Sequence, residues 1–133
     1  MRPNSTILAL LLASIAAGAL HAQAADGQND ACFFTTQFRH WKAADEKTIY
    51  ISVLPNRYYH LDLSGRCPAL LWPDAHLVTV FRGSNSVCSA LDWDLKVSQG
   101  PSGISEPCIV RKMTLLSPAE AAAIPPRFKP SQY

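Results

Sequence analysis

Residues 48–63 have the sequence TIYISVLPNRYYHLDL, and this stretch indicates the fold class. Apolar and polar residues alternate with a period of two on each side of its centre, as in a strand with one buried face. The residues that share the apolar face are Ile49, Ile51, Val53, Tyr59, Leu61 and Leu63. Between the two halves, Leu54-Pro55-Asn56-Arg57 has the composition of a turn. The stretch therefore predicts an antiparallel β-hairpin.

Outside the hairpin, the same kind of pattern predicts further short strands. Turn residues separate them, and no helical pattern of ten residues lies between them, which argues against βαβ units. The further predicted strands are Cys32–Trp41, His76–Arg82, Val87–Ser98 and Cys108–Leu116. We therefore expect a mainly β protein, a small antiparallel β-barrel or sandwich of about six strands.

A short helix is predicted near the C-terminus. Ser117 has the chemistry of an N-cap, Pro118 suits the first helical position, and Glu120 completes a capping box. Pro125 and Pro126 end this helix. We expect residues 25–31 to be a disordered N-terminus, residues 32–124 a single disulfide-linked β domain with this terminal helix, and residues 125–133 a loose tail.

The first 24 residues have the three parts of a secretory signal peptide. Arg2 supplies a positive charge, residues 7–20 form an apolar run, and Ala22-Gln23-Ala24 precedes a cleavage position at Ala25. The apolar run is shorter than the roughly 20 residues that a membrane-spanning helix needs. We expect residues 1–24 to be removed, and the mature chain to be exported to the periplasm or secreted without membrane insertion.

Four cysteines, Cys32, Cys67, Cys88 and Cys108, lie in the mature part. An even number in a short exported chain predicts two disulfides, because such compartments keep thiols oxidised. The spacing shows no Cys-x-x-Cys pair or zinc-finger pattern, so we predict no cysteine metal site. Four cysteines allow three pairings. Among them we favour Cys67–Cys88 with Cys32–Cys108, which would join the first strand to the last.

Composition and charge exclude several classes of protein. The chain has 133 residues, of which 48% are apolar, and a net charge of +2 from 12 basic and 10 acidic side chains. This is one domain's worth of sequence and too apolar for intrinsic disorder. No basic block is present, so we expect no nucleic-acid partner.

No catalytic signature is present in the sequence, and we expect no catalytic residues, no cofactor and no enzymatic activity. His60 lies within one predicted strand, and His76 is the first residue of another. They suggest an alternative function, the carriage of a metal ion or small ligand. Isolated histidines on strands more often lie on solvent-facing surfaces, so we predict no metal site.

Aromatic residues are the remaining candidates for binding. Tyr50 and Tyr58 lie on the polar faces of the hairpin, where they are able to form an exposed cross-strand pair. Together with the loop Gly100–Glu106 they define the predicted binding surface, with His60 and His76 as further candidates. Trp93 alternates with Leu91, Leu95 and Val97, which predicts that all four side chains are in the core.

The order of these features resembles that of a family of small exported proteins of Gram-negative bacteria that contain four cysteines and form a domain of unknown function. The resemblance extends from Cys32 to Leu116. The segments that carry it are Cys32, Asp45–Ile49, Tyr58–Leu63, Cys67–Leu70, Val87–Cys88 with Asp92, and Cys108–Ile109. It implies a location in the cell envelope and a compact disulfide-linked domain, and it supplies no activity, cofactor or catalytic residue.

The sequence as a whole favours an exported, non-catalytic binding or accessory module of the cell envelope. Its partner is then an envelope protein or a small ligand that the sequence does not identify. Two alternatives stay open: a small-ligand or metal carrier that uses His60 and His76, and an inhibitor of an envelope or secreted enzyme.

Overall fold

The computed structural model describes residues 31–100 and 103–133. The predicted signal peptide, residues 1–24, and residues 25–30 of the predicted disordered N-terminus lie outside this described part. The strands within it are β1 Phe33–Phe34, β2 Phe38–Asp45, β3 Thr48–Val53, β4 Arg57–Leu63, β5 Ala75–Phe81, β6 Ser86–Val87, β7 Trp93–Gln99, β8 Ser105–Pro107 and β9 Val110–Leu115. One short α-helix, α1, spans Pro118–Ala122, and the 3-10 turns are Thr35–Gln37, Pro68–Leu71, Ala90–Asp92 and Pro126–Phe128.

The predicted hairpin is present as β3 and β4. They pair in antiparallel register, with Ile51 opposite Tyr59, and the alternating apolar residues are buried as predicted. The four-stranded sheet has the order β2-β3-β4-β9, a three-stranded sheet has the order β5-β7-β8, and β1 pairs with β6. The mainly β fold with a short helix is confirmed. Because the described strands form three antiparallel sheets without closing into a barrel, the architecture is sandwich-like.

The predicted strand Val87–Ser98 is interrupted in the structure. Asp92 accepts hydrogen bonds from the backbone N–H groups of Cys88 and Ser89, at 2.8 and 2.9 Å, and these bonds cap the 3-10 turn Ala90–Asp92. Before the turn, Ser86–Val87 pair with β1, and the ladder with β5 begins only at Trp93. A local side-chain hydrogen bond therefore competes successfully with strand pairing here.

The core lies between the sheets and has an aromatic centre. The Trp93 ring packs against Phe33, Phe38 and Phe81, with ring centroids 5.1–6.4 Å apart. Its indole N–H donates to Met113 Sδ at 3.4 Å. The prediction that Trp93 is a core residue is confirmed. The prediction for Leu91 is wrong, since the 3-10 turn directs this side chain to solvent, where it is 84% exposed.

All four cysteines form disulfides, as predicted, but the favoured pairing is wrong. The bonds are Cys32–Cys88 and Cys67–Cys108. Cys32 and Cys88 each adjoin a residue of the β1–β6 pair, where Phe33 is opposite Val87. On the other side, Ser64 N–H donates to the carbonyl of Ile109 at 2.9 Å, which brings the chain near Cys67 and Cys108 together. Two strand pairings that the sequence did not reveal therefore determine the connectivity.

Residues 125–133 are held against the sheet, in contrast to the loose tail that we expected. After the 3-10 turn Pro126–Phe128, the backbone oxygen of Ser131 accepts a hydrogen bond from Ser52 Oγ at 2.5 Å. The side-chain amide Nε2 of Gln132 donates to the backbone carbonyl of Arg57 at 3.2 Å, and the backbone oxygen of Tyr133 lies 2.6 Å from His40 Nε2. Two of these contacts use backbone oxygens of the tail and the third uses a single polar side chain, so no periodic apolar pattern indicates them.

We expect S52A to lower the free energy of unfolding by about 1–3 kcal/mol, because it removes a buried hydroxyl that makes hydrogen bonds to the backbone of His40 and of Ser131. Ser52 is fully buried, and its hydroxyl also accepts from His40 N–H at 3.1 Å. Urea unfolding measures the change, and S64A, at an exposed serine, is the matched control with an expected change within about 0.5 kcal/mol. Equal values for the two variants would show that the Ser52 contacts do not hold the tail.

Candidate functional site

The hairpin candidates Tyr50, Tyr58 and His60 lie on the outer face of the four-stranded sheet. Tyr50 is opposite His60, and the two rings stack with centroids 5.3 Å apart. Tyr58 is opposite Ser52 instead. The register therefore separates the two tyrosines, which do not form the cross-strand pair that we predicted.

Tyr58 is covered by the C-terminal segment. It packs with Ala121 and Ile124 into a second small cluster and is only 9% exposed. Lys129 Nζ lies 5.1 Å from the centre of its ring. Tyr58 thus stabilises the position of α1 on the sheet, and it offers little surface to a partner.

His60 lies beside a small cavity under the edge of α1. Its Nε2 atom is 3.6 Å from Asp62 Oδ1, which is an ion-pair distance and too long for a hydrogen bond. The cavity has a volume of about 230 Å³. Its lining residues are Tyr50, His60, Leu116, Glu120, Ala123 and Ile124.

His76 lies on β5 and therefore in the other sheet. The side chain is exposed, and its Nδ1 is 2.7 Å from the carbonyl oxygen of Asp74. The structure does not bring His60 and His76 into one site. Across residues 31–100 and 103–133, no group of three or more His, Cys, Asp or Glu residues has a metal-binding arrangement.

The loop Gly100–Glu106 also lies away from the hairpin candidates. Pro101 and Ser102 are outside the described residues, and Ser105 and Glu106 belong to β8 of the three-stranded sheet. Ile104 of this loop is exposed. The predicted binding surface is therefore divided between two sheets.

The three-stranded sheet has an exposed apolar surface that the sequence analysis missed. Val78 and Val80 of β5 are 44% and 61% exposed, and beyond the end of the strand Leu91 and Ile109 are 84% and 71% exposed. The available signal was the composition of β5, AHLVTVF, in which apolar residues occupy both faces of one strand. Such a pattern is typical of a strand buried on both faces. Here the outer face has no cover among the described residues.

Leu91 and Ile109 border a groove of about 290 Å³, which we call the Leu91–Ile109 groove. Its lining residues are Arg82, Ala90, Leu91, Trp93, Asp94, Leu95, Pro107, Cys108, Ile109 and Val110. Arg82 Nη2 and Asp94 Oδ2 form an ion pair of 3.8 Å at its rim. The groove thus combines apolar walls with one exposed pair of charges.

The 3-10 turn Ala90–Asp92 holds Leu91 at this rim. Ser89 caps the turn, and its Oγ accepts a hydrogen bond from Leu91 N–H at 3.3 Å. Hydrogen bonds from the backbone N–H of Cys88, and then of Ser89, hold the pKa of Asp92 below its ordinary value. The carboxylate that organises the turn therefore stays charged at neutral pH, and the position of Leu91 is maintained.

The described part of the chain contains no helix with the length and apolar character needed to cross a membrane. The model of a family of unknown function (DUF6491) matches residues 1–125. This range includes both disulfides and all residues of the Leu91–Ile109 groove. No curated protein and no solved structure matches the chain.

Proposed function

The chain belongs to this family of unknown function, and we propose that it is an exported, non-catalytic binding module that docks on a protein of the cell envelope through the Leu91–Ile109 groove. The observation that carries the proposal is that two large, exposed apolar side chains, Leu91 and Ile109, line one concave surface. Exposed apolar residues that surround a concave surface are typical of interaction sites.

The shape and chemistry of the groove favour a protein over a small ligand. Its volume of about 290 Å³ is at the lower limit of small-ligand sites, which enclose most of the ligand's surface. Leu91 and Ile109 extend into solvent, where they are able to enter pockets of a partner. The Arg82–Asp94 pair beside them supplies the charged rim found around the apolar centre of protein interfaces. An inhibitor of an envelope or secreted enzyme is one form of such a docking protein.

Two features support export. The N-terminal 24 residues have the pattern of a signal peptide. All four cysteines are in disulfides, which persist in the oxidising compartments outside the cytoplasm.

A photo-crosslinking amino acid placed at position 91 or 109 of the full chain, in bacteria that export it, tests the docking surface. We expect one discrete adduct of the same size from both positions, and its loss when I109D is combined with the probe at position 91. Lys42, exposed on β2 of the other sheet, is the control position and should give no such adduct. Adducts that are equally strong from position 42, or unaffected by I109D, would contradict docking through the groove.

The intact mass of the chain recovered in the same experiment tests export independently. We expect a chain that begins at Ala25 and lacks four hydrogens because of its two disulfides. Retention of residues 1–24 or the presence of free thiols would contradict the proposed localisation.

A further inference from the structure

One edge of β5 is unpaired in the described part of the chain. The strand pairs only with β7. Two bonds that flank the pair, Arg82 N–H to Asp92 O and Gly100 N–H to Asp74 O, show which opposite residues are hydrogen-bonded to each other. Residues opposite each other in an antiparallel pair alternate between bonded and non-bonded. The even-numbered residues of β5 therefore bond to β7. The N–H and C=O groups of Leu77, Thr79 and Phe81 point to the open edge.

The other edge strands of the two larger sheets carry features that discourage pairing with another chain, and β5 does not. β2 is interrupted by two register shifts, β9 exposes Arg111 and Lys112, and β8 has three residues and ends in Pro107. Shifts, charges, shortness and proline are the usual protections of an edge strand. β5 pairs with β7 over seven residues without a shift and contains neither proline nor a residue of fixed charge.

From this edge we infer that β5 pairs in antiparallel fashion with β5 of a second copy of the chain, with Thr79 on the two-fold axis. This register places Leu77 opposite Phe81 of the second copy, so the residues whose backbone groups are open bond to one another. The two three-stranded sheets then become one six-stranded sheet. A two-fold contact of this kind closes on itself and produces a dimer.

The side chains of β5 are complementary to themselves in this register. Val78 of each copy lies opposite Val80 of the other on the outer face, which gives an apolar neighbour to the two side chains that are 44% and 61% exposed in the monomer. Cross-strand pairs of β-branched residues stabilise antiparallel strands, and no like charges oppose each other within the strand. This self-complementarity favours a second copy over an unrelated strand. The inference is independent of the proposed function, because Val78 and Val80 do not line the Leu91–Ile109 groove.

Two double variants at the exposed valines test the register. In V78K/V80K, lysine opposes lysine twice across the dimer axis, whereas in V78E/V80K glutamate opposes lysine twice. Within each protomer the V78E/V80K side chains also lie opposite Lys96 and Asp94 of β7, so this variant adds no like-charge pair. Sedimentation equilibrium of the mature, oxidised protein should show a wild-type dimer. The V78K/V80K variant should raise the dimer dissociation constant about tenfold or more, and V78E/V80K should keep it within about threefold of wild type.

Amide hydrogen exchange provides a second measurement on the wild-type protein. Exchange at Leu77, Thr79 and Phe81 should slow as the protein concentration rises, while exchange at Val78 and Val80 should not change. A wild-type protein that stays monomeric at about 1 mM would overturn the inference. So would two double variants that dissociate equally, or a dimer that both variants leave intact. Dissociation by L91D would place the contact at the groove instead.

Discussion

The double substitution C67A/C108A is expected to lower the free energy of unfolding by about 4 kcal/mol. The bond connects residues 41 positions apart. Without this cross-link the unfolded chain gains conformational entropy, which stabilises the unfolded state. Both cysteines are also buried in the core, so their replacement removes packing as well. Urea unfolding, followed by circular dichroism on the oxidised wild type and the variant, measures the difference.

The variant C32A/C88A is the matched control for this prediction. Its bond spans 56 positions, so the entropy argument alone gives a slightly larger effect. Cys88, however, is exposed, and its replacement removes little packing. We therefore expect the loss for C32A/C88A to be no larger than that for C67A/C108A. A change below about 1 kcal/mol for C67A/C108A would contradict the prediction.

W93A is expected to cost about 3–5 kcal/mol of stability, as is typical when a large aromatic residue is removed from a core. The Trp93 ring contacts Phe33, Phe38 and Phe81, which come from three different strands or turns that meet between the sheets. Alanine leaves a cavity at this centre, and the structure relaxes into it only partly. Chemical unfolding followed by far-ultraviolet circular dichroism measures the change without the tryptophan signal.

Two further substitutions show whether the loss in W93A comes from the packing of the Trp93 ring or whether any substitution in this segment destabilises the protein. W93F keeps an aromatic ring at the centre and should lose clearly less stability than W93A. L91A, only two residues away, should change stability by less than about 0.5 kcal/mol because Leu91 is exposed. Similar losses for W93A and L91A would show that the core is not centred on Trp93.

The regular part of the fold was predictable because the alternation of apolar residues is local. The β3–β4 hairpin and the capped helix α1 each depend on residues close together in sequence, and both are present. The disulfide pairing was not predictable in this way. It depends on the two-residue pair of β1 and β6 and on the approach of residues near Cys67 and Cys108, which join distant parts of the chain.

The candidate site was harder to predict because its key residue breaks a local pattern. Leu91 continues the alternation of Trp93 and Leu95 and was therefore expected in the core. In the structure the Asp92 carboxylate bonds to Cys88 and Ser89, and the resulting turn rotates Leu91 outward. The Ser89…Asp92 spacing resembles a capping box and was a usable signal for this turn. The prediction that Tyr58 is exposed was wrong because α1, which is distant in sequence, packs over it.

The order of the two disulfides along the chain has a consequence for proteolysis. The segments that they close, 32–88 and 67–108, overlap, so every peptide bond between Cys32 and Cys108 lies inside at least one covalent ring. A protease that cuts once between Cys32 and Cys67 and once between Cys88 and Cys108 still leaves all three fragments attached. With the pairing expected from sequence, the same two cuts would release the middle fragment. The connectivity of the structure therefore keeps a chain with these two cuts in one piece.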